Sequence, residues 1–210
     1  MPMKFRYTAA LLALATVLAA GGAGEALAQK KTIKSVPIGA LRIVDPIWTT
    51  AYITRNHAYM VWDTLFALDA KNEPQPQMVD TWNVSANKLT YTFTLRPGLL
   101  WHDNTPVKAA DCVASIRRWG AKDGMGRALL GFTERLEAID DKSFRLVLRQ
   151  PIGFVIEALA KIDSNVPFMM PERIAKTDAN TQITEVIGSG PFRFVREEFV
   201  PGVKYERPIT

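Results

Sequence analysis

The chain has little of what most often declares an activity. Its 210 residues include one cysteine, Cys112, and two histidines, His57 and His102. One cysteine excludes an intramolecular disulfide, and the pair of histidines offers no ligand spacing of a zinc site. No G-x-x-x-x-G-K-[ST], G-x-S-x-G or H-E-x-x-H occurs, which removes the phosphate loop, the nucleophile elbow and the metalloprotease helix. Charge of one sign is also scarce. The formal balance is +5, and without Lys4, Arg6 and Glu25 it is +4, with no Lys/Arg cluster or stripe. That excludes the electrostatic footprint of a nucleic-acid binder. Long apolar runs are missing too: only residues 7–20 form one, and it is too short for a membrane span.

That run has a different meaning. Lys4 and Arg6 precede it, small residues follow, and Ala26-Leu27-Ala28 supplies an A-x-A cleavage site. This is the layout of a secretory leader over residues 1–28, with a mature start near Gln29. Gln29 is not Cys and no twin arginine precedes the apolar run, so a general-secretory route to a soluble exported protein is expected. Apolar residues make up 48% of the chain, enough for a sizeable core in one domain, or one and part of another.

The most informative stretch is residues 89–119. Leu89, Tyr91, Phe93 and Leu95 alternate with threonines and Arg96, the period of a half-buried strand. Pro97-Gly98 forms a turn, and Asp103-Asn104-Thr105-Pro106 breaks a second apolar run. A helix is expected next, with Ala109, Cys112, Val113 and Ile116 on one face, Arg117 and Arg118 pointing elsewhere, and Gly120 ending it. Cys112 reads as a buried structural thiol. The residues Tyr91-Thr92-Phe93, Leu95-Arg96, Gly98, Trp101-His102-Asp103, Thr105-Pro106, Ala109 or Ala110, and Asp111 together resemble the signature of the family 5 extracellular solute-binding proteins that serve ABC importers. Asn104 replaces a usual Gly, a mild change because Asn tolerates the left-handed region. Lys108 replaces the usual capping Thr or Ser, which removes roughly 1 kcal/mol of capping.

Around that stretch, residues 36–41 read as a short strand leading to Asp45-Pro46. Residues 52–68 read as a helix with Ile53, His57, Met60, Val61, Thr64, Leu65 and Leu68 on one stripe, His57 being packed there. Short hairpins are expected from 68 to 95, with Trp82 and Trp101 in the core. Residues 121–126 look like a loop, whose Gly124 and Gly126 lack the lysine placement of a phosphate loop. Residues 136–139 and 144–148 form a hairpin about Asp140-Asp141-Lys142, and 152–162 a helix. Ser164-Asn165-Val166-Pro167 is a loop, and Pro171 opens a short helix. Gly188-Ser189-Gly190-Pro191-Phe192 is similar to the family's strand entry, and Pro201-Gly202 closes a hairpin with 203–205.

The resemblance implies an α/β chain: the first lobe of a two-lobed, type II cluster C periplasmic-binding-protein fold, with mixed sheets and flanking helices. Residues 29–210 would form that N-terminal lobe, truncated, because members run to well over twice this length. In the family, ligand sits between lobes that close by hinge motion. A lone lobe is therefore expected to bind weakly or not at all. The implied function is periplasmic capture of a short peptide for delivery to permease subunits in the inner membrane, by a monomer without cofactor or metal. Nickel complexes, haem, opines, glutathione and sugars are other solutes of the family, and a non-functional truncated receptor is a further alternative. The loop residues expected to face ligand are Trp48, Thr49, Ser164 and Asn165. A secreted hydrolase would have to use His102-Asp103 with Ser115 or Ser189, although adjacent His and Asp do not form a relay. Five tryptophans also leave a lectin-like module open.

Overall fold

Residues 39–201 are described by the structure, a computed structural model. The expected leader, residues 36–38 and the strand at 203–205 lie outside them. In chain order come helix α1 (Tyr52–Val61), strands β1 (Phe66–Leu68), β2 (Pro74–Pro76), β3 (Val79–Val84) and β4 (Thr90–Leu95), and helices α2 (Ala109–Lys122) and α3 (Gly124–Phe132). Strands β5 (Thr133–Ala138) and β6 (Ser143–Leu148) and the short helices α4 (Val155–Leu159) and α5 (Glu172–Ala175) follow, then a 3-10 turn at Arg196–Glu198.

Alternation in β4 buries Tyr91, Phe93 and Leu95 and leaves the three threonines half-buried. Strand β6 repeats the pattern with Phe144, Leu146 and Leu148, while Arg145 and Val147 take the other face. The register sets Phe93 opposite Phe144, and their rings stack with centroids 5.0 Å apart. The sheet order is β3-β4-β6-β5, antiparallel throughout, and β1 and β2 form a separate hairpin. Asp140 closes the β5–β6 hairpin by accepting from the Lys142 and Ser143 amides, both at 2.7 Å. Those two bonds hold its carboxyl below the ordinary carboxylate range. Gly98 takes the expected positive φ of 75° and Asn104 one of 65°. Trp101 is buried, but Trp82 is not: it faces the core side opposite Phe93 on edge strand β3, is 41% exposed, and meets Phe66 edge-on. The core stops short of that edge.

Helix α2 lies across β5 and β6 and buries Ala109, Cys112, Ile116 and Trp119. Burial pushes the Cys112 thiol far up, as suits a structural cysteine.

Several expected boundaries are corrected. Helix α1 stops at Val61 rather than at residue 68, because Trp62 is extended and the buried Leu65 and Phe66 continue into β1. An apolar run of this kind satisfies either period, and strand pairing with β2 decides it. Gly120 does not end α2, and the expected loop at 121–126 is a helix junction. Asp123 caps α3 by accepting from Met125 and Gly126 amides at 2.9 and 3.0 Å. A Cβ on Gly126 would lie 2.7 Å from Gly120 Cα and 3.0 Å from the Trp119 ring, so these glycines serve the close crossing of α2 and α3. The helix over 152–162 contracts to α4, with Lys161 turned instead to Asp123 at 2.8 Å. Pro171 is the N-cap of α5 rather than its first residue.

Residues 39–41 form no ladder, and neither does the segment 188–195 that was expected to enter a strand. Gly190 and Phe192 amides donate instead to the Val61 and Met60 carbonyls, each at 2.9 Å, satisfying the open C-terminal end of α1. A Cβ on Gly188 would overlap the Val61 carbonyl oxygen. Close backbone approach therefore requires this glycine.

Gly126→Ala should cost about 1–3 kcal/mol by overpacking, read as a lower urea midpoint at unchanged slope. Gly124→Ala, with open space around it, should be neutral or slightly stabilising. Equal losses at the two positions would contradict the crossing argument.

Candidate functional site

Asp111, Ser115, Arg118 and Lys122 occupy positions i, i+4, i+7 and i+11 of α2, one stripe of the helix. This stripe is polar, yet much of it is buried, because each residue fastens a different segment. Asp111 Oδ2 accepts from the Trp101 indole at 3.1 Å and the Lys108 amide at 2.7 Å, and Oδ1 from the Glu172 amide at 2.7 Å. Its carboxylate thus caps the helix from within, where the Lys108 side chain has no acceptor to offer. Ser115 Oγ accepts from the Met170 amide at 2.9 Å and lies 2.8 Å from the Asp111 carbonyl. Arg118 does point away from the apolar face, but it is only 4% exposed. Its guanidinium grips Asp45 bidentately at 3.1 and 2.8 Å and donates to the Thr177 and Thr181 carbonyls, both at 3.0 Å. Asp45 accepts in addition from the amides of Ile47, Trp48 and Ile183.

The pair fixes residues 45–48, and Asn165 fixes the residues beside them. Asn165 is buried, with Nδ2 directed to the carbonyls of Pro46, Ile47 and Thr49 at 2.9, 3.1 and 3.1 Å. Its own carbonyl accepts from the Trp119 indole at 2.7 Å. Lys161 supports the same loop, bonding Asp123 and the Asp163 carbonyl, both at 2.8 Å. The clamp therefore joins the segment of Trp48 and Thr49 to that of Ser164 and Asn165, although Thr49 and Asn165 are 116 positions apart. Trp48 is half-buried with the Lys122 ammonium 4.9 Å from its ring centre. Thr49 Oγ1 accepts from the Ala51 amide at 3.2 Å, just ahead of α1. Ser164 is exposed at φ 53°, and Asn165 acts inward, as a clamp.

Sequence reasoning missed the aromatic side of this surface. Tyr59 donates to the Ile162 carbonyl at 3.1 Å and packs edge-on against Phe168. Tyr52 is 68% exposed, with the Arg55 guanidinium 4.6 Å from its ring centre. Tyr52 and Tyr59 stand at i and i+7 of α1, a spacing that marks one helix face. Burial pushes the Tyr59 phenol up to about 12. Tyr59, Ile162 and the exposed Ser164 lie beside the loop that Asn165 joins to Thr49, a rim suited to stacking and neutral hydrogen bonding.

His102 and Asp103 form no relay. The His102 ring lies 2.8 Å from the Gly190 carbonyl, whereas Asp103 accepts from Thr105 and Arg173. Ser189 Oγ donates to Asp63 at 2.8 Å, and Ser115 is held by backbone groups. Among the described residues, no group of three or more His, Cys, Asp or Glu side chains is placed to hold a metal.

A small antiparallel sheet is backed by a helix whose polar face anchors loops, and comparison with known proteins places this arrangement in a family. Residues 73–207 match the family described as bacterial extracellular solute-binding proteins, family 5 Middle, and the chain belongs to it. A relative from Sinorhizobium fredii, named "Probable peptide ABC transporter periplasmic-binding protein y4tO", is 43% identical over 180 residues, covering 86% of this chain and 33% of that protein. Glutathione-binding protein GsiB of Pectobacterium atrosepticum is 26% identical over 167 residues, covering 78% and 32%. Among solved structures, MoaA from A. tumefaciens R10 with mannopinic acid superposes with TM-score 0.65 at 22% identity, over 78% of this chain and 34% of that one. Haemophilus influenzae OppA bound to RPPGFSPFR gives 0.60 at 22%, over 74% and 34%. These are periplasmic-binding-protein folds, and the chain spans about a third of the length of the curated relatives it matches.

Asn165→Ala should free the three carbonyls of residues 46–49 and cost about 2–3 kcal/mol. Amide exchange at residues 47–51 should rise more than at β4. Unchanged protection there would show that Asn165 does not hold the segment.

Proposed function

We propose that this chain is part of a periplasmic solute-binding receptor of an ABC importer, and that its ligand is a short peptide. Residues 1–28 act as the cleaved leader, and residues 29–210 supply part of the N-terminal lobe of the receptor. Trp48, Thr49 and Ser164 contact the ligand, and Asn165 presents them. The observation that carries this reading is the Asn165 clamp, which joins two distant loops into one aromatic and hydroxyl-bearing rim beside α1. The S. fredii relative, with its peptide-transporter name, supports the peptide class. Stacking surfaces and neutral hydrogen-bonding groups suit peptides of varied side chain, because the main chain is the part they share. The receptor works as a monomer that diffuses to permease subunits in the inner membrane. Its solute binding needs no metal or cofactor, and no catalytic role is assigned to it.

Millimolar pools of di- to tetrapeptides, titrated into the labelled 210-residue chain, should shift the Trp48 indole signal and amides within residues 47–52 and 162–165. Trp48→Ala should weaken the Kd about tenfold, equivalent to about 1.4 kcal/mol. Shifts confined to other surfaces, or a Trp48→Ala variant that binds as the parent does, would overturn the assignment.

A further inference from the structure

Both histidines of the chain converge on one segment. Residues 187–194 form a strap across the C-terminal end of α1. It is held there by the Gly190 and Phe192 amides on the Val61 and Met60 carbonyls, and by the Trp62 indole on the Ile187 carbonyl at 2.8 Å. On its other side the His102 amide donates to the Gly188 carbonyl at 2.8 Å. The His102 ring places Nε2 2.8 Å from the Gly190 carbonyl and Nδ1 3.4 Å from the Gly188 amide nitrogen. A carbonyl only accepts and an amide N–H only donates, so the tautomer with its proton on Nε2 meets both contacts. His57 contacts the strap from α1. Its ring meets Phe194 edge-on at 5.7 Å and Trp62 at 6.4 Å, and its Nδ1 is buried without a partner.

We propose that the two histidines are an acid-operated latch: protonating both releases the strap from α1 and from the 101–106 turn, while the sheet and α2 stay folded. A second proton on His102 would set an N–H against the Gly188 N–H and remove that acceptor. It would also put a positive charge on a residue whose carbonyl already accepts from the guanidinium of Arg193, a strap residue. Asp103, the adjacent acid, is taken up by Thr105 and Arg173. A proton on His57 would put a charge between two aromatic rings. The charged groups of the elements at His57 are engaged: Arg55 at Tyr52, Asp63 with Gln77 and Ser189, and Arg193 at His102. The turn after Phe194 carries Arg196, Glu197 and Glu198. Burial alone pushes His57 down to about 4. Because this lies below the ordinary value of about 6.5, its neutral form stabilises the fold fully above that value, and the contribution is lost as pH falls toward 4.

Hydrogen exchange of the full chain at pH 7.0 and 4.5, corrected for intrinsic rates, tests the latch. Gly190 and Phe192 amides should lose at least tenfold protection at the lower pH, with β4 and β6 amides unchanged. The double variant His57→Phe/His102→Gln should keep its strap protection at pH 4.5. If that variant does not fold, His57→Phe alone should retain more strap protection at pH 4.5 than the parent. Strap protection unchanged by acid, lost together with the sheet, or lost equally in the variants would overturn the proposal.

Discussion

The buried Asp45–Arg118 pair is the constraint on which the rest of the molecule depends. Both side chains are essentially removed from water, and two such charges are tolerable only when geometry answers every polar atom. Here it does: the guanidinium has two carboxylate oxygens and two carbonyls, and the carboxylate has three amides besides. Satisfying the pair requires residues 45–48, residues 177–183 and α2 to meet at one point. The position of Trp48 follows from that meeting, and Asn165 then locks Thr49 and the 162–165 loop onto the same scaffold.

Helix α2 therefore works on two faces. Its apolar face rests on the sheet and supplies the core, while its polar stripe fastens chain that has no regular structure of its own. Loops held this way are rigid without forming ladders, the arrangement by which binding residues are carried on a scaffold. The rim beside α1 is built in this manner from residues distant in sequence.

Much of the sheet was legible in the sequence, because alternation with Tyr91, Phe93 and Leu95 in one strand and Phe144, Leu146 and Leu148 in another admits one burial pattern. Trp101, Cys112 and the positive φ of Gly98 were equally readable. The failures share a cause, which is contact between remote residues. Arg118 reads only as pointing away from the apolar face, because its partner lies 73 positions away. Gly120 and Gly126 read as breakers because the crossing they permit is tertiary. Residues 62–66 satisfy both periods, and pairing of Thr64 with Phe168 and of Phe66 with β2 selects the extended form. Trp48, Thr49, Ser164 and Asn165 were reached through family resemblance, but nothing local reveals that Asn165 points inward. Tyr52 and Tyr59 carried a usable signal in their spacing beside polar Arg55 and Asn56.

The most direct test of the central claim is a double-mutant cycle on Asp45→Asn and Arg118→Gln, followed by urea unfolding and exchange at residues 47–49. Each single change should cost about 3–5 kcal/mol by stranding a buried charge, and the double variant should lose little more than either single. The segment around Trp48 should lose protection in all three. Additive losses, with coupling below about 0.5 kcal/mol and residues 47–49 still protected, would contradict the account.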